Sequence, residues 1–128
     1  VRLLLDTHAF LWWVTDDRSL SDAARSAIAD ESNVICVSAA TAWEIATKHR
    51  LGKLDKAAGA FERFTELVAA DGFALLPVEA CHALKAGSYA VSHRDPFDRM
   101  LAAQSSLEGM KLVTRDPAFK QFRTDVLW

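Results

Sequence analysis

Short runs of consecutive apolar residues alternate along the chain with longer stretches whose apolar positions recur at helical spacing. Leu3-Leu4-Leu5 is the first such run, closed by Asp6, and a run without polar alternation reads as a strand buried on both faces. Thr7 then caps a helix through Val14, with Trp12 and Trp13 near its end. Ser21 caps a second helix over 22–29. Val34-Ile35-Cys36-Val37 is another buried strand. Ser38 caps a longer helix that runs to Leu51 and is stopped by Gly52. An amphipathic helix spans 57–70 and ends at Asp71-Gly72. Ala74-Leu75-Leu76 is a short strand broken by Pro77, and 79–86 reads as helix. Asp95-Pro96-Phe97-Asp98 marks a helix start: Asp95 suits the N-cap, Pro96 the first position, and Asp98 the third, where a carboxylate can reach back. Phe97, Leu101, Ala103 and Leu107 carry the helical period on to Gly109. Residues 111–114 form a strand, Asp116-Pro117 opens one more helical turn, and Val126-Leu127 is a last edge strand.

Strands alternating with helices predict an α/β/α sandwich around a mainly parallel sheet, with right-handed crossovers. The 128 residues suit a single domain over 1–128, and 51% hydrophobic residues exclude a disordered chain. Cys36 and Cys81 are too few for a disulfide framework and point to a reducing, cytoplasmic setting. No apolar stretch approaches the ~18–20 residues of a membrane span. The opening Val1-Arg2-Leu3-Leu4-Leu5-Asp6 is no secretory signal, and the missing initiator Met implies a residue removed or omitted. Fifteen basic against seventeen acidic side chains give a net charge of −2. That argues against a broad basic surface for nucleic acid, but not against one small site.

In such a sheet, ligands bind outside the carboxyl ends of the strands. Asp6 ends the first strand, Asp116 follows the 111–114 strand, and Asp98, with Asp95, lies in the first turn of a helix. Glu44 lies six residues beyond Ser38, about 9 Å along its helix at ~1.5 Å per residue, and can overhang the same edge. Carboxylates converging from separated segments repel one another, and a divalent cation relieves this. All-oxygen ligands favour Mg²⁺ or Mn²⁺ over zinc. Each acid also has a plainer reading: Asp6 ends a strand and starts a turn, Asp95, Asp98 and Asp116 serve as helix-start residues, and Glu44 is a solvated helix side chain. From position alone both readings stand.

Local strings add to this. Leu4-Leu5-Asp6-Thr7-His8-Ala9-Phe10-Leu11-Trp12-Trp13 resembles the opening of PIN-domain proteins, and more narrowly of VapC-type ribonuclease toxins from toxin–antitoxin pairs. The stretch from Trp43-Glu44-Ile45-Ala46 to Leu54 resembles the second acidic motif of that family. His93-Arg94-Asp95-Pro96-Phe97-Asp98-Arg99 to Gln104 resembles the third, and Leu112-Val113-Thr114-Arg115-Asp116-Pro117-Ala118-Phe119 the fourth. The four motifs occur in order and cover essentially the whole chain. The resemblance implies a PIN fold, a Mg²⁺- or Mn²⁺-dependent endoribonuclease, and metal binding by Asp6, Glu44 and Asp98, with Asp116 as a fourth acid often acting through water. It places Thr7, Asp95 and Thr114 around that site; Arg99, which flanks Asp98, reads as pairing with the acids. It also implies RNA as substrate, a VapB-type antitoxin that blocks the site, a homodimer, and DNA contact only through the antitoxin. The acids show no departure from the pattern; Thr47 stands where relatives often carry an aliphatic residue.

The cluster Lys48, Arg50, Lys53 and Lys56 reads either as cations complementing a helix C-terminus or as contacts for RNA or antitoxin. Arg94 and Arg115 flank candidate acids and meet either a carboxylate or a phosphate. His8 and His93 adjoin the motifs but are not expected to be ligands. Trp12, Trp13 and Trp43 suit core or dimer packing more than base stacking. Three rival readings remain: a PIN nuclease of RNA processing, a binding module that does not cut, and an aspartate-nucleophile phosphatase. The last needs a second acid two residues after Asp6, where His8 stands.

Overall fold

Three consecutive leucines leave no polar face, and the strand they form, β1 (Arg2–Leu5), lies at the centre of the sheet. The computed structural model describes residues 1–54 and 59–128. On one side of β1 lies β2 (Val34–Ser38), then β3 (Ala74–Leu76); on the other lies β4 (Lys111–Val113), then β5 (Val126–Leu127). Every pairing is parallel, as the non-alternating strands predict. Leu3 and Leu5 point into one apolar cluster and Leu4 into the other. Burying each such leucine contributes roughly 1.5–3 kcal/mol.

The first cluster is closed by α1 (Thr7–Val14), α2 (Asp22–Ala29), Ile45 of α3 (Ala39–Arg50) and α4 (Phe64–Ala70). The second is closed by α6 (Pro96–Glu108) and the 3-10 helix Pro117–Phe122, with α5 (Ala80–Ser88) packed on α6. The result is the expected three-layer α/β/α sandwich. No helix among the described residues is long and apolar enough to cross a membrane.

Most expected boundaries hold to within a residue or two, and the departures have local causes. Thr7 does not cap α1; the Asp6 carboxylate does, accepting from Ala9 N at 2.7 Å. Of the helix expected over 57–70, the described residues are helical from Phe64 to Ala70, and Gly59 sits at φ +66°, which a right-handed helix cannot contain. Residues 57 and 58, and Lys56 of the basic cluster, lie outside the described residues. The helix expected over 79–86 starts one residue later and runs two further, with Glu79 at its cap. Gly109 closes α6 in the left-handed region (φ +64°), as its position predicts. Leu107, expected on the buried face of α6, is exposed.

One buried polar chain crosses the second layer. Ser38 caps α3 by accepting from Ala40 N, and its hydroxyl donates to Gln104 Oε1 at 2.5 Å. Gln104 Nε2 donates to the Pro77 carbonyl at 3.1 Å. Gln104 and Ser38 are fully buried, so α3 and α6 are joined where water cannot substitute. Replacing Gln104 by Leu strands the Ser38 hydroxyl and the Pro77 carbonyl. The expected cost is roughly 1–3 kcal/mol, read as a lower urea midpoint at unchanged m-value. An unchanged midpoint would show that this link does not hold the two helices together.

Candidate active site

The sheet delivers its acids to one edge because all strands end on the same side. Asp6 follows β1, and its backbone N–H still pairs with Val113 of β4 at 3.1 Å. Its carboxylate is buried, caps α1 and takes a further hydrogen bond from the Thr114 side chain. Burial nevertheless raises the Asp6 pKa, and the charge of Glu44 adds to the rise. The two acids therefore sense each other although 38 positions separate them in the sequence.

Glu44 stands on the second turn of α3 and is buried. The Thr7 hydroxyl donates to Glu44 Oε1 at 2.5 Å, and the Lys48 ammonium lies 2.8 Å from Oε2. The sequence leaves Lys48 open as a helix-end cation or as a contact for RNA or antitoxin. It lies one helical turn from Glu44, where the spacing favours the pair. Arg50 and Lys53 remain exposed at the end of α3, where the cations suit the helix terminus.

Asp98 occupies the third position of α6, while Asp95 caps that helix by accepting from Phe97 N and Asp98 N at 2.8 and 3.2 Å. The Asp98 carboxylate does not reach back as expected; its Oδ2 is hydrogen-bonded to His93 Nε2 at 2.8 Å. Burial pushes the Asp98 pKa up to about 6, against the His93 hydrogen bond, and the negative charges of Asp95 and Glu44 push the same way. His93 was given no role from sequence; its signal was only that it lies five residues before Asp98.

Arg99 does not pair with an acid. Its guanidinium donates to the carbonyls of Ala86, His93 and Tyr89 at 2.8, 2.9 and 2.6 Å, with longer contacts to Val91 and Gly87. It thereby ties the segment after α5 to α6, and His93 is carried by that segment. Asp116 is exposed and caps the 3-10 helix through Ala118 N at 2.9 Å. It meets Asp6 across a cavity of about 390 Å³. Trp12 and Trp13 are half-buried, as packing residues should be, whereas Trp43 is 60% exposed and makes an edge-to-face pair with Phe97 at 4.7 Å.

The acids thus share an edge without closing on a single point. Among the described residues, no three His, Cys, Asp or Glu side chains form a ready ligand set for one ion. Each acid has its own partner instead: Lys48 for Glu44, His93 for Asp98, and Ala9 N–H with Thr114 for Asp6. The donor chemistry fits a hard dication, since the edge offers carboxylate oxygens held in burial, and the Lys48 ammonium already marks a place for positive charge.

Fold and edge together define a three-layer α/β/α protein with a carboxylate site at the sheet's carboxyl end. The PIN-domain family model matches residues 3–124, and the chain belongs to that family. PIN domains are generally nucleases. A search of curated protein sequences finds no match. Among solved structures, VapBC2 from Rickettsia felis bound to a DNA fragment from their promoter aligns at TM-score 0.69 and 15% identity, over 100% of this chain and 98% of that one. FitAcB from Neisseria gonorrhoeae aligns at 0.62 and 19%, over 98% and 96%. VapBC-1 from nontypeable Haemophilus influenzae aligns at 0.61 and 19%, over 100% and 96%. At these identities the likeness is one of fold.

The raised Asp98 pKa has a defined sign. The folded state keeps a proton that the unfolded chain releases near pH 3.8, so this contribution to stability is full below that pH and lost as pH rises through about 6. In EDTA, the melting temperature of Asp98→Asn relative to the parent should rise between pH 4 and 7. A falling difference would show that the His93 contact, not burial, governs this carboxyl.

Proposed function

We propose that this chain is a metal-dependent endoribonuclease, the VapC-type toxin of a toxin–antitoxin pair. The observation that carries the reading is that Asp6, Glu44, Asp98 and Asp116 share one edge of a PIN sheet, where buried Asp6 and half-buried Asp98 each feel the charge of Glu44. Asp6, Glu44 and Asp98 would hold Mg²⁺ or Mn²⁺, with Asp116 as the outer acid. A bound dication supplies Lewis-acid chemistry that activates water and neutralises charge on a phosphoryl group.

The chain's own residues fix the acids for that task. Thr7 holds one oxygen of Glu44 and Lys48 balances the other. Thr114 orients Asp6, and Asp95 sets the start of α6 so that Asp98 projects from its first turn. His93 is hydrogen-bonded to Asp98, and Arg99 holds the segment that carries it.

Kinship of fold with the VapBC and FitAcB structures supports an antitoxin as partner. In this reading the antitoxin is VapB-type and covers the acidic edge, and DNA is met only through it. The substrate is RNA, the toxin is a homodimer of single PIN domains, and it works in the cytoplasm, in keeping with free cysteines at Cys36 and Cys81. Arg50 and Lys53 offer exposed charge to RNA or antitoxin.

Asp6→Asn, Glu44→Gln and Asp98→Asn should each lower RNA cleavage roughly 10²-fold or more. Asn caps a helix about as well as Asp, so Asp6→Asn keeps the fold, checked by circular dichroism. EDTA should abolish cleavage and Mg²⁺ restore it. Full cleavage by the Asp6→Asn variant, or cleavage that survives EDTA, overturns the proposal.

A further inference from the structure

The cavity between Asp6 and Asp116 has a second wall, which the acid site does not use. His8, Trp12, Arg115 and Pro117 complete its lining. Its volume, about 390 Å³, lies within the roughly 300–1,000 Å³ of small-molecule sites. The Arg115 guanidinium sits 4.6 Å from the centre of the Trp12 ring. Trp12 is also stacked with His8 at 5.5 Å and lies 5.9 Å from Trp128. A ring so surrounded is a shelf for the guanidinium and leaves little face for a nucleobase.

The other arginines with clear partners show what a structural arginine does here. Arg99 spends its donors on backbone carbonyls, and Arg25 pairs with Asp16 at 2.8 Å. Arg115 makes no ion pair among the described residues, although Asp116 is its neighbour in sequence and Asp17 feels its charge. A guanidinium held over an aromatic ring spends no N–H donor on it, and the planar fork of those donors matches two oxygens of a phosphate. Arg115 lies two residues beyond β4, on the sheet edge that carries Asp6, so an anion it holds lies beside the acids.

We infer that Arg115, seated on Trp12, is a phosphate-binding residue for the substrate strand, taking a phosphodiester of single-stranded RNA next to the acidic edge. This rests on the ribonuclease reading and adds a substrate subsite to it. Because the ring beneath is occupied, the subsite reads the backbone and not the base. Its contribution to affinity is therefore independent of sequence, and target choice is made elsewhere.

The test is a binding titration that does not need cleavage. The probe is a fluorescein-labelled single strand of about ten nucleotides with 2′-O-methyl sugars and phosphorothioate linkages, titrated in Mg²⁺ by anisotropy. Arg115 is exposed, so Arg115→Gln and Arg115→Lys should fold as the parent does. Arg115→Gln should weaken binding about tenfold or more, equally for two unrelated base sequences. The dependence of log K on log salt should become shallower by about 0.7, the value for one phosphate on a single strand. Arg115→Lys should recover part of the loss. With cleavable RNA, the Arg115→Gln change should fall on KM rather than kcat. Equal affinity and salt slope for parent and Arg115→Gln, a loss confined to one base sequence, or no binding by the parent overturns the inference. Arg115-dependent binding without cleavage of natural RNA by the parent sinks the ribonuclease reading and leaves the phosphate site standing. Cleavage with unchanged KM and affinity in Arg115→Gln does the reverse.

Discussion

The rest of the structure depends on the burial of β1. A strand with a neighbour on each side and an apolar layer against each face has no wet surface, so Leu3, Leu4 and Leu5 must all be apolar. Parallel neighbours require helical crossovers, and those crossovers form the two layers. The chain leaves the core only at the strand ends. Polar groups gather there by exclusion, and Asp6 is the first residue after β1 that is free to carry charge. Its short side chain turns back on α1, so that acid and helix start are one residue.

That arrangement places negative charge where water is scarce. The protein answers locally, not collectively. Lys48 reaches Glu44 from one turn along the same helix, His93 reaches Asp98 from the segment before α6, and the Ala9 N–H with Thr114 holds Asp6. At Asp6 and Asp98 burial outweighs these partners, and both carboxyls stay raised above their ordinary values. An edge of this kind favours incoming positive charge and orders its acids before it arrives.

Much of the sheet is legible because its strands carry short apolar runs closed by polar or turn residues: Leu3-Leu4-Leu5 by Asp6, Val34-Ile35-Cys36-Val37 by Ser38 and Ala74-Leu75-Leu76 by Pro77. The helix starts at Ser21, Ser38, Asp95 and Asp116 were legible for the same reason: short polar side chains at those positions satisfy free N–H groups. Thr7 was misassigned because Asp6 beside it is an equally good cap, and only the strand's end decides between them. The acids were legible as a set by position and family resemblance. Their partners were less so. Lys48 lay at readable helical spacing from Glu44 but was grouped with Arg50 and Lys53 by charge alone. Arg99 was assigned to acids because they are near in sequence, whereas its carbonyl partners belong to an irregular segment that leaves no pattern. The Trp43–Phe97 pair joins α3 to α6, a contact no local window contains.

The strand order has a consequence in time. β1, β2 and β3 lie in the first part of the chain and form one side of the sheet, whereas β1 meets β4 through Leu5 and Val113, more than a hundred residues apart. At the roughly 5–20 residues per second of protein synthesis, β4 follows β1 by about 5–20 s. Asp6 and Glu44 are made early, and Asp98 and Asp116 late. A nascent chain therefore holds half the acids on half a sheet, and the complete edge exists only after β4 has docked against β1. Whatever the edge does to its substrate, it cannot begin before β4 has been made and has docked against β1.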